Sequence, residues 1–198
     1  QKYFKNYNSE GKIIIIGSPL RKYYGGAFSY SVDYSTSYIK RMKLLLNMFK
    51  ENELKSIIYR SGWNFGININ DHFSIYKNLH ISKREDVSHA FQLIANSKIS
   101  IINYNSTTWL QLAYINFPFL LFLDKKYDLT TDLNRDILEL MEKNKILFYD
   151  SKKLYHHLIG LDNKILKWWL TEDIQKTIKE IKYIFNNKFD TKEFVKSF

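Results

Sequence analysis

Residues 97–124, SKISIINYNSTTWLQLAYINFPFLLFLD, leave little room for any reading but strand, polar turn, helix, strand. Ile99, Ile101 and Ile102 make a short run of β-branched side chains that ends at Asn103-Tyr104-Asn105. Such side chains are stiff in a helix and pack well on a pleated surface, so the run reads as a strand. Ser106, Thr107 or Thr108 can then cap a helix running to about Tyr114, because a hydroxyl accepts from the unpaired amides of a first turn. Asn116-Phe117-Pro118 stops that helix, since proline has no N–H to donate. Residues 119–123 are apolar throughout, as a strand covered on both faces requires. A helix N-terminus is thereby set at the carboxyl end of a parallel strand. Free amides and the helix dipole attract an anion there, and open α/β sheets bind ligands along that edge.

The alternation extends along the chain. Residues 12–16 form a strand ending at Gly17-Ser18-Pro19, and a loop rich in Gly, Tyr and Ser follows to about Thr36. Ser37 is the expected cap of a helix over 38–50, with Ile39, Met42, Leu45, Leu46 and Phe49 at helical spacing. A second strand, 56–59, ends at Arg60. Residues 61–78 read as loop because of Gly62, Gly66, Asn68, Asn70 and Asp71. A third strand covers 79–81, and Ser82 or Asp86 opens a helix through Ala95. After the opening stretch come a helix from Asp132 to about 144, a strand at 146–149, a helix at 150–158 and a helix over 165–185. The pattern predicts an α/β fold, a Rossmann-like and mainly parallel sheet of about six strands with helices on both faces. No linker or repeat divides it, so 1–185 is expected to be a single unit and 186–198 a loose tail.

Cysteine is absent from the 198 residues, which excludes disulfides and thiolate metal sites and fits a reducing, cytoplasmic compartment. No apolar run has the length of a membrane span. The net charge is +10, but the lysines are scattered and form no block. Neither an RNA-binding strand pattern nor a clustered basic helix is present, so nucleic acid is not an expected partner.

No phosphate-loop, dinucleotide, HExxH or GxSxG motif occurs. His156 and His157 are adjacent and cannot share one helix face, and His72, His80 and His89 lack metal spacing. No paired acidic motif is present either, so neither metal nor cofactor is expected. The candidates are instead groups that hold anions. Ser106, Thr107 and Thr108 supply hydroxyls at the helix start. Arg60 closes a strand, and Arg21 lies in the loop after the first strand; a guanidinium pairs bidentately with phosphate. Asp124 closes the strand 119–123, where it is either a ribose or sugar contact or a polar stop. Trp168-Trp169 reads as a packing anchor.

Four segments carry a family resemblance: SPLRKYY (18–24), SIIYRSGW (56–63), SxxSIINYNSTTWLQLAYINFPFLLF (97–122) and KWWLTEDIQKTIKEI (167–181). In this order they resemble a bacterial family of surface-carbohydrate transferases first noticed in leptospires, from about Gly11 to Phe185. That family resembles the C-terminal lobe of two-lobed, GT-B-type glycosyltransferases and, distantly, the CDP-glycerol glycerophosphotransferases. The resemblance implies a donor-binding lobe of a longer protein. It further implies a nucleotide-activated sugar or polyol-phosphate donor and a carbohydrate or lipid-linked acceptor, met at the inner face of the cell membrane for O-antigen or capsule synthesis. Arg21, Arg60, Ser106 and Thr107 fall on the family motif positions. The glycerophosphotransferases carry His-Pro after the strand that ends here in Tyr59-Arg60, which implies that Arg60 stands in for the histidine. No residue is marked as a catalytic base. The scarcity of acid–base groups leaves a non-catalytic α/β binding module as the first rival reading, and the net charge alone favours a second, a nucleic-acid binder.

Overall fold

The computed structural model describes residues 7–22, 32–62, 64–82, 90–128 and 132–186. Its strands in chain order are β1 (Lys12–Ile16), β2 (Leu20–Arg21), β3 (Ile57–Arg60), β4 (Asn64–Phe65), β5 (His80–Ser82), β6 (Ser97–Ile102), β7 (Phe119–Phe122) and β8 (Leu147–Phe148). The helices are α1 (Val32–Leu46), α2 (Glu51–Leu54), α3 (Ile69–Phe73), α4 (Ala90–Ala95), α5 (Thr107–Tyr114), α6 (Asp132–Lys143), α7 (Ser151–Leu161), α8 (Ile165–Trp169) and α9 (Glu172–Asn186).

Six strands form one sheet in the order β5-β3-β1-β6-β7-β8, and every pairing is parallel. From β1 the chain builds outward through β3 to β5, then returns to the other side of β1 and builds outward through β6 to β8. The order therefore reverses between β1 and β6, the place where such sheets open a crevice at their carboxyl ends. This is an α/β, Rossmann-like fold with helices around a parallel sheet.

Strand side chains alternate between the two faces. Ile13, Ile15, Ile57, Ile99, Ile101, Leu120 and Phe122 are buried on one, against residues of α1 and α7. Ile14, Ile16, Ile102, Phe119 and Leu121 are buried on the other, against residues of α4, α5, α6 and α9. Trp169, fully buried, packs its ring on Phe119 at 5.3 Å and donates Nε1–H to the Asn116 carbonyl at 3.0 Å. The anchor role expected of the tryptophan pair is what Trp169 performs. Asn116 has φ 58, a left-handed conformation that asparagine tolerates better than most residues.

Several expected boundaries are corrected. Helix α1 begins by Val32, so Ser37 is not a cap but a mid-helix residue whose hydroxyl donates to Asp124. Residues 61–78 are not all loop. β4 pairs with β2 in a separate two-stranded sheet, and α3 buries Ile69 and Phe73, four residues apart, with Asn68 as its cap. The expected helix over 165–185 breaks between α8 and α9, where the Thr171 hydroxyl donates to the Trp168 carbonyl at 2.8 Å. Helix α7 runs on to Leu161 behind its Asp150 cap. Ser82, one of the two expected openings of the helix ending at Ala95, is instead the last residue of β5. The other, Asp86, and most of the expected tail lie outside the described residues. No described helix is long and apolar enough to cross a membrane.

Candidate functional site

The turns leaving β1, β3, β6 and β7 meet at the carboxyl edge of the sheet. Their packing depends on two glycines. A Cβ on Gly17 would overlap the Tyr59 hydroxyl, and one on Gly62 would stand 2.6 Å from the Ser18 carbonyl carbon. Both contacts are too close for any other residue, so backbone meets backbone or ring directly.

Beneath these turns lies a buried network of hydroxyls. Tyr38 on α1 accepts the Ser18 N–H at 3.2 Å and an Asn103 Nδ2–H at 2.6 Å, and its oxygen lies 2.7 Å from that of Tyr59. Two acceptors' worth of lone pairs are thus engaged, which directs the Tyr38 proton toward Tyr59. Tyr34, one turn earlier, donates to the Ser18 hydroxyl at 3.2 Å. Burial pushes the Tyr38 hydroxyl up to about 12 and, with Tyr38 beside it, pushes Tyr59 well above its ordinary range. Both therefore stay neutral and serve as fixed dipoles.

Arg41, on the next turn of α1, is also buried. It donates Nη2–H to the Asn103 carbonyl at 3.1 Å and lies over the Phe122 ring at 4.7 Å. Its Nη1 is 3.9 Å from Asp128, close enough for an ion pair but not for a hydrogen bond. Asp128 accepts the N–H of Asp124 at 2.7 Å and that of Asn105 at 3.2 Å. Burial raises its pKa, outweighing the amides and Arg41, which lower it. One carboxylate thus ties the turn after β6 to the turn after β7, with the guanidinium beneath both.

The expected site residues take definite places in this frame. Ser106 is the N-cap residue of α5, yet its side chain makes no cap hydrogen bond, and its Oγ is buried without a partner. Thr107 is exposed and Thr108 half-buried on the first turn. The turn is held instead by Asn105, which binds Asp128 through its N–H and accepts from Trp109 Nε1 at 3.3 Å. Asp124 accepts from the Ser37 hydroxyl at 2.7 Å and the Lys126 N–H at 2.9 Å. Burial opposes its ionisation, but those bonds and the Arg41 charge prevail, and its pKa is lowered.

Arg60 is 6% exposed and donates Nη1–H to the Ser82 hydroxyl at 2.8 Å, so it is no surface ion pair. Its register partner on β1 is Ile16, whose other partner is Ile102 on β6. Arg60 is therefore two strand spacings, about 10 Å, from the strand that leads into Ser106, on the same face of the sheet. Arg21 is on β2, with its guanidinium over the Phe65 ring of β4 at 4.3 Å. The β2–β4 pair extends from the exits of β1 and β3, so Arg21 is also on the carboxyl side. Tyr34, Tyr38, Arg41, Asn103 and Asp128 were not among the expected residues. The signal for the three on α1 is the spacing 34, 38, 41, which places three long polar side chains along one side of that helix once it starts by Val32.

A family model described as LIC12162 family transferase matches residues 1–196. The chain belongs to the LIC12162 family of transferases. No curated protein matches the sequence. A LIC12162 family transferase moves a group from donor to acceptor, and the donor's departing part must be held while it leaves. Hydrogen-bond donors at the carboxyl edge, set on buried supports, are suited to that task.

Proposed function

We propose that this chain is the donor-binding lobe of a two-lobed transferase that builds bacterial surface polysaccharide. The carboxyl edge takes the diphosphate of a nucleotide-activated sugar or polyol phosphate. The Ser106 hydroxyl carries this reading. It stands at a helix N-terminus beside the β1/β6 crevice, buried, and has no partner of its own. An unpaired buried hydroxyl costs about 1–3 kcal/mol, a penalty that a phosphate oxygen would remove.

In this reading the leaving diphosphate gathers negative charge as the bond to the transferred group breaks. The first-turn amides of α5, the hydroxyls of Ser106, Thr107 and Thr108, and the guanidinium of Arg60 stabilise that charge. Arg21 approaches from the β2–β4 pair. Asp124 is the ribose or sugar contact, on the turn that Asp128 ties to the phosphate turn. The acceptor is a carbohydrate or a lipid-linked chain at the inner face of the cell membrane, and the attacking group is activated outside this lobe.

Calorimetric titration with UDP, CDP and GDP tests the reading. One of the three is expected to bind, and Ser106→Ala with Thr107→Ala to weaken it about tenfold, the loss of one or two hydrogen bonds to a charged group. Failure of all three to bind, or equal binding by the double variant, rejects the diphosphate site.

A further inference from the structure

The turns that leave β6 and β7 open side by side, because those strands are adjacent and parallel, with Ile102 opposite Leu121. One side chain serves both turns. Asp128 accepts the Asn105 N–H through Oδ1 and the Asp124 N–H through Oδ2, and its carboxyl group is fully buried. The Asp128 N–H donates back to the Asp124 carbonyl at 2.9 Å, which fixes the carboxylate's own turn. A buried carboxylate is costly unless a charge and hydrogen bonds compensate it. Arg41 supplies the charge, and it also holds the Asn103 carbonyl at the start of the β6 turn.

Each turn has anchors that the other does not share. Asn103 is held by Arg41 and Tyr38, and Asn105 accepts from Trp109 Nε1. On the other side, the Asp124 carboxylate is fixed by the Ser37 hydroxyl and the Lys126 N–H. What Asp128 adds is the placement of one turn relative to the other. Asn105 leads directly into Ser106 and the first turn of α5, and Asp124 is half-buried at the end of the neighbouring strand.

We propose that Asp128 is a positioning residue that sets the spacing between a phosphate-holding turn and a ribose-holding turn, so that the pair fits one nucleoside diphosphate. The assignment rests on the donor site proposed above: Ser106 and Thr107 meet the diphosphate, Asp124 meets the ribose hydroxyls, and Asp128 touches neither. Ribose and phosphates are covalently joined in the ligand. A ligand that fills both turns gains from that link only when the turns stand at the matching distance. A frame that holds them there before the ligand arrives removes an ordering cost from binding. The carboxylate suits this task because each of its oxygens takes one amide, which a side chain with a single acceptor does not reproduce.

Calorimetric titration of the 198-residue chain and of Asp128→Asn with UDP, CDP, GDP and inorganic pyrophosphate is the test. The substitution keeps the size of the side chain but turns an amide donor toward one of the two N–H groups. It is expected to weaken the nucleotide that binds about tenfold more than pyrophosphate, which reaches one turn only. Equal weakening of the two ligands makes Asp128 a structural support alone and overturns the proposal, as does weakening of neither. Hydrogen exchange in the unaltered chain gives a second readout that does not depend on the variant's folding. Pyrophosphate alone is expected to slow exchange at the Asp124 amide as well as at the Asn105 amide, since one carboxylate accepts from both. Slowing confined to Asn105 overturns the coupling. If the unaltered chain binds no nucleotide, the donor site itself fails, and the spacing role fails with it.

Discussion

Asn103, the first residue past β6, holds Tyr38 of α1 through an Nδ2–H bond of 2.6 Å. That bond joins the strand at the center of the crevice to the helix beneath it. The remaining oxygen of the same amide, Oδ1, is buried without a partner. The amide thus presents an acceptor next to the turn that presents the Ser106 donor.

Because Tyr38 serves Ser18, Asn103 and Tyr59 together, Tyr38→Phe leaves two donors and one hydroxyl unsatisfied in the interior. A loss of about 2–4 kcal/mol is expected on the scale of stranded buried donors. Tyr59→Phe leaves Tyr38 its Ser18 and Asn103 bonds and is expected to cost about 1 kcal/mol. Urea unfolding of the two variants checks the order, and equal losses would refute the arrangement of protons.

Replacement of an N-cap serine by alanine commonly costs about 1 kcal/mol. Ser106 makes no cap bond and its hydroxyl is buried without a partner, so Ser106→Ala is expected to leave stability unchanged or to raise it, by up to about 1–3 kcal/mol, instead of lowering it. Nucleotide affinity, in contrast, is expected to fall. Thermal unfolding measured with and without ligand separates the two effects.

Gly62→Ala forces a methyl against the Ser18 backbone, where no side chain can swing aside. A loss of about 2 kcal/mol or more is expected, as in other overpacked sites. Gly160→Ala has the opposite sign, with a gain of about 0.5–1 kcal/mol from helix propensity alone. Denaturant midpoints of the pair report both.

The lowered pKa of Asp124 fixes the sign of an acid effect. A carboxyl with a lower pKa folded than unfolded binds more protons in the unfolded chain. Its contribution is whole above the unfolded value of about 3.9 and drains as pH falls through the folded one. Asp128, with a raised pKa, contributes in the opposite sense and loses its share as pH rises through its folded value. Asp124→Asn is therefore expected to flatten the fall in stability below pH ~4. Unfolding midpoints from pH 3 to 6 for both proteins provide the check.

The parallel sheet was legible in the sequence because isoleucine runs at 12–16 and 97–102 have no other economical use, and because Pro118 and the apolar run 119–123 mark a buried strand. The start of α1 was not legible. Ser35, Thr36 and Ser37 mimic capping residues, and only contacts with Arg21 and Asp124, distant in sequence, reveal two of them as packed helix positions. The β2–β4 pair was hidden for a different reason: two-residue strands show no period. At the site, Arg60 was legible as a strand end, but its burial depends on Ser82 from a neighbouring strand, which no local pattern announces. The supporting side chains Tyr38, Arg41 and Asp128 were missed on the same ground, since each acts through partners far along the chain.

The double acceptance by Asp128 has a consequence for how the molecule can be cut or assembled. Residues 103–106 receive their shape from 124–128 on one side and from Arg41 on the other. A fragment that stops after β7 would keep the strand and the helix α5 yet lose the carboxylate that fixes the turn between them. The proposed phosphate site thus depends on contacts distant in sequence, and binding competence is expected to report on completion of the whole sheet rather than on its central strands.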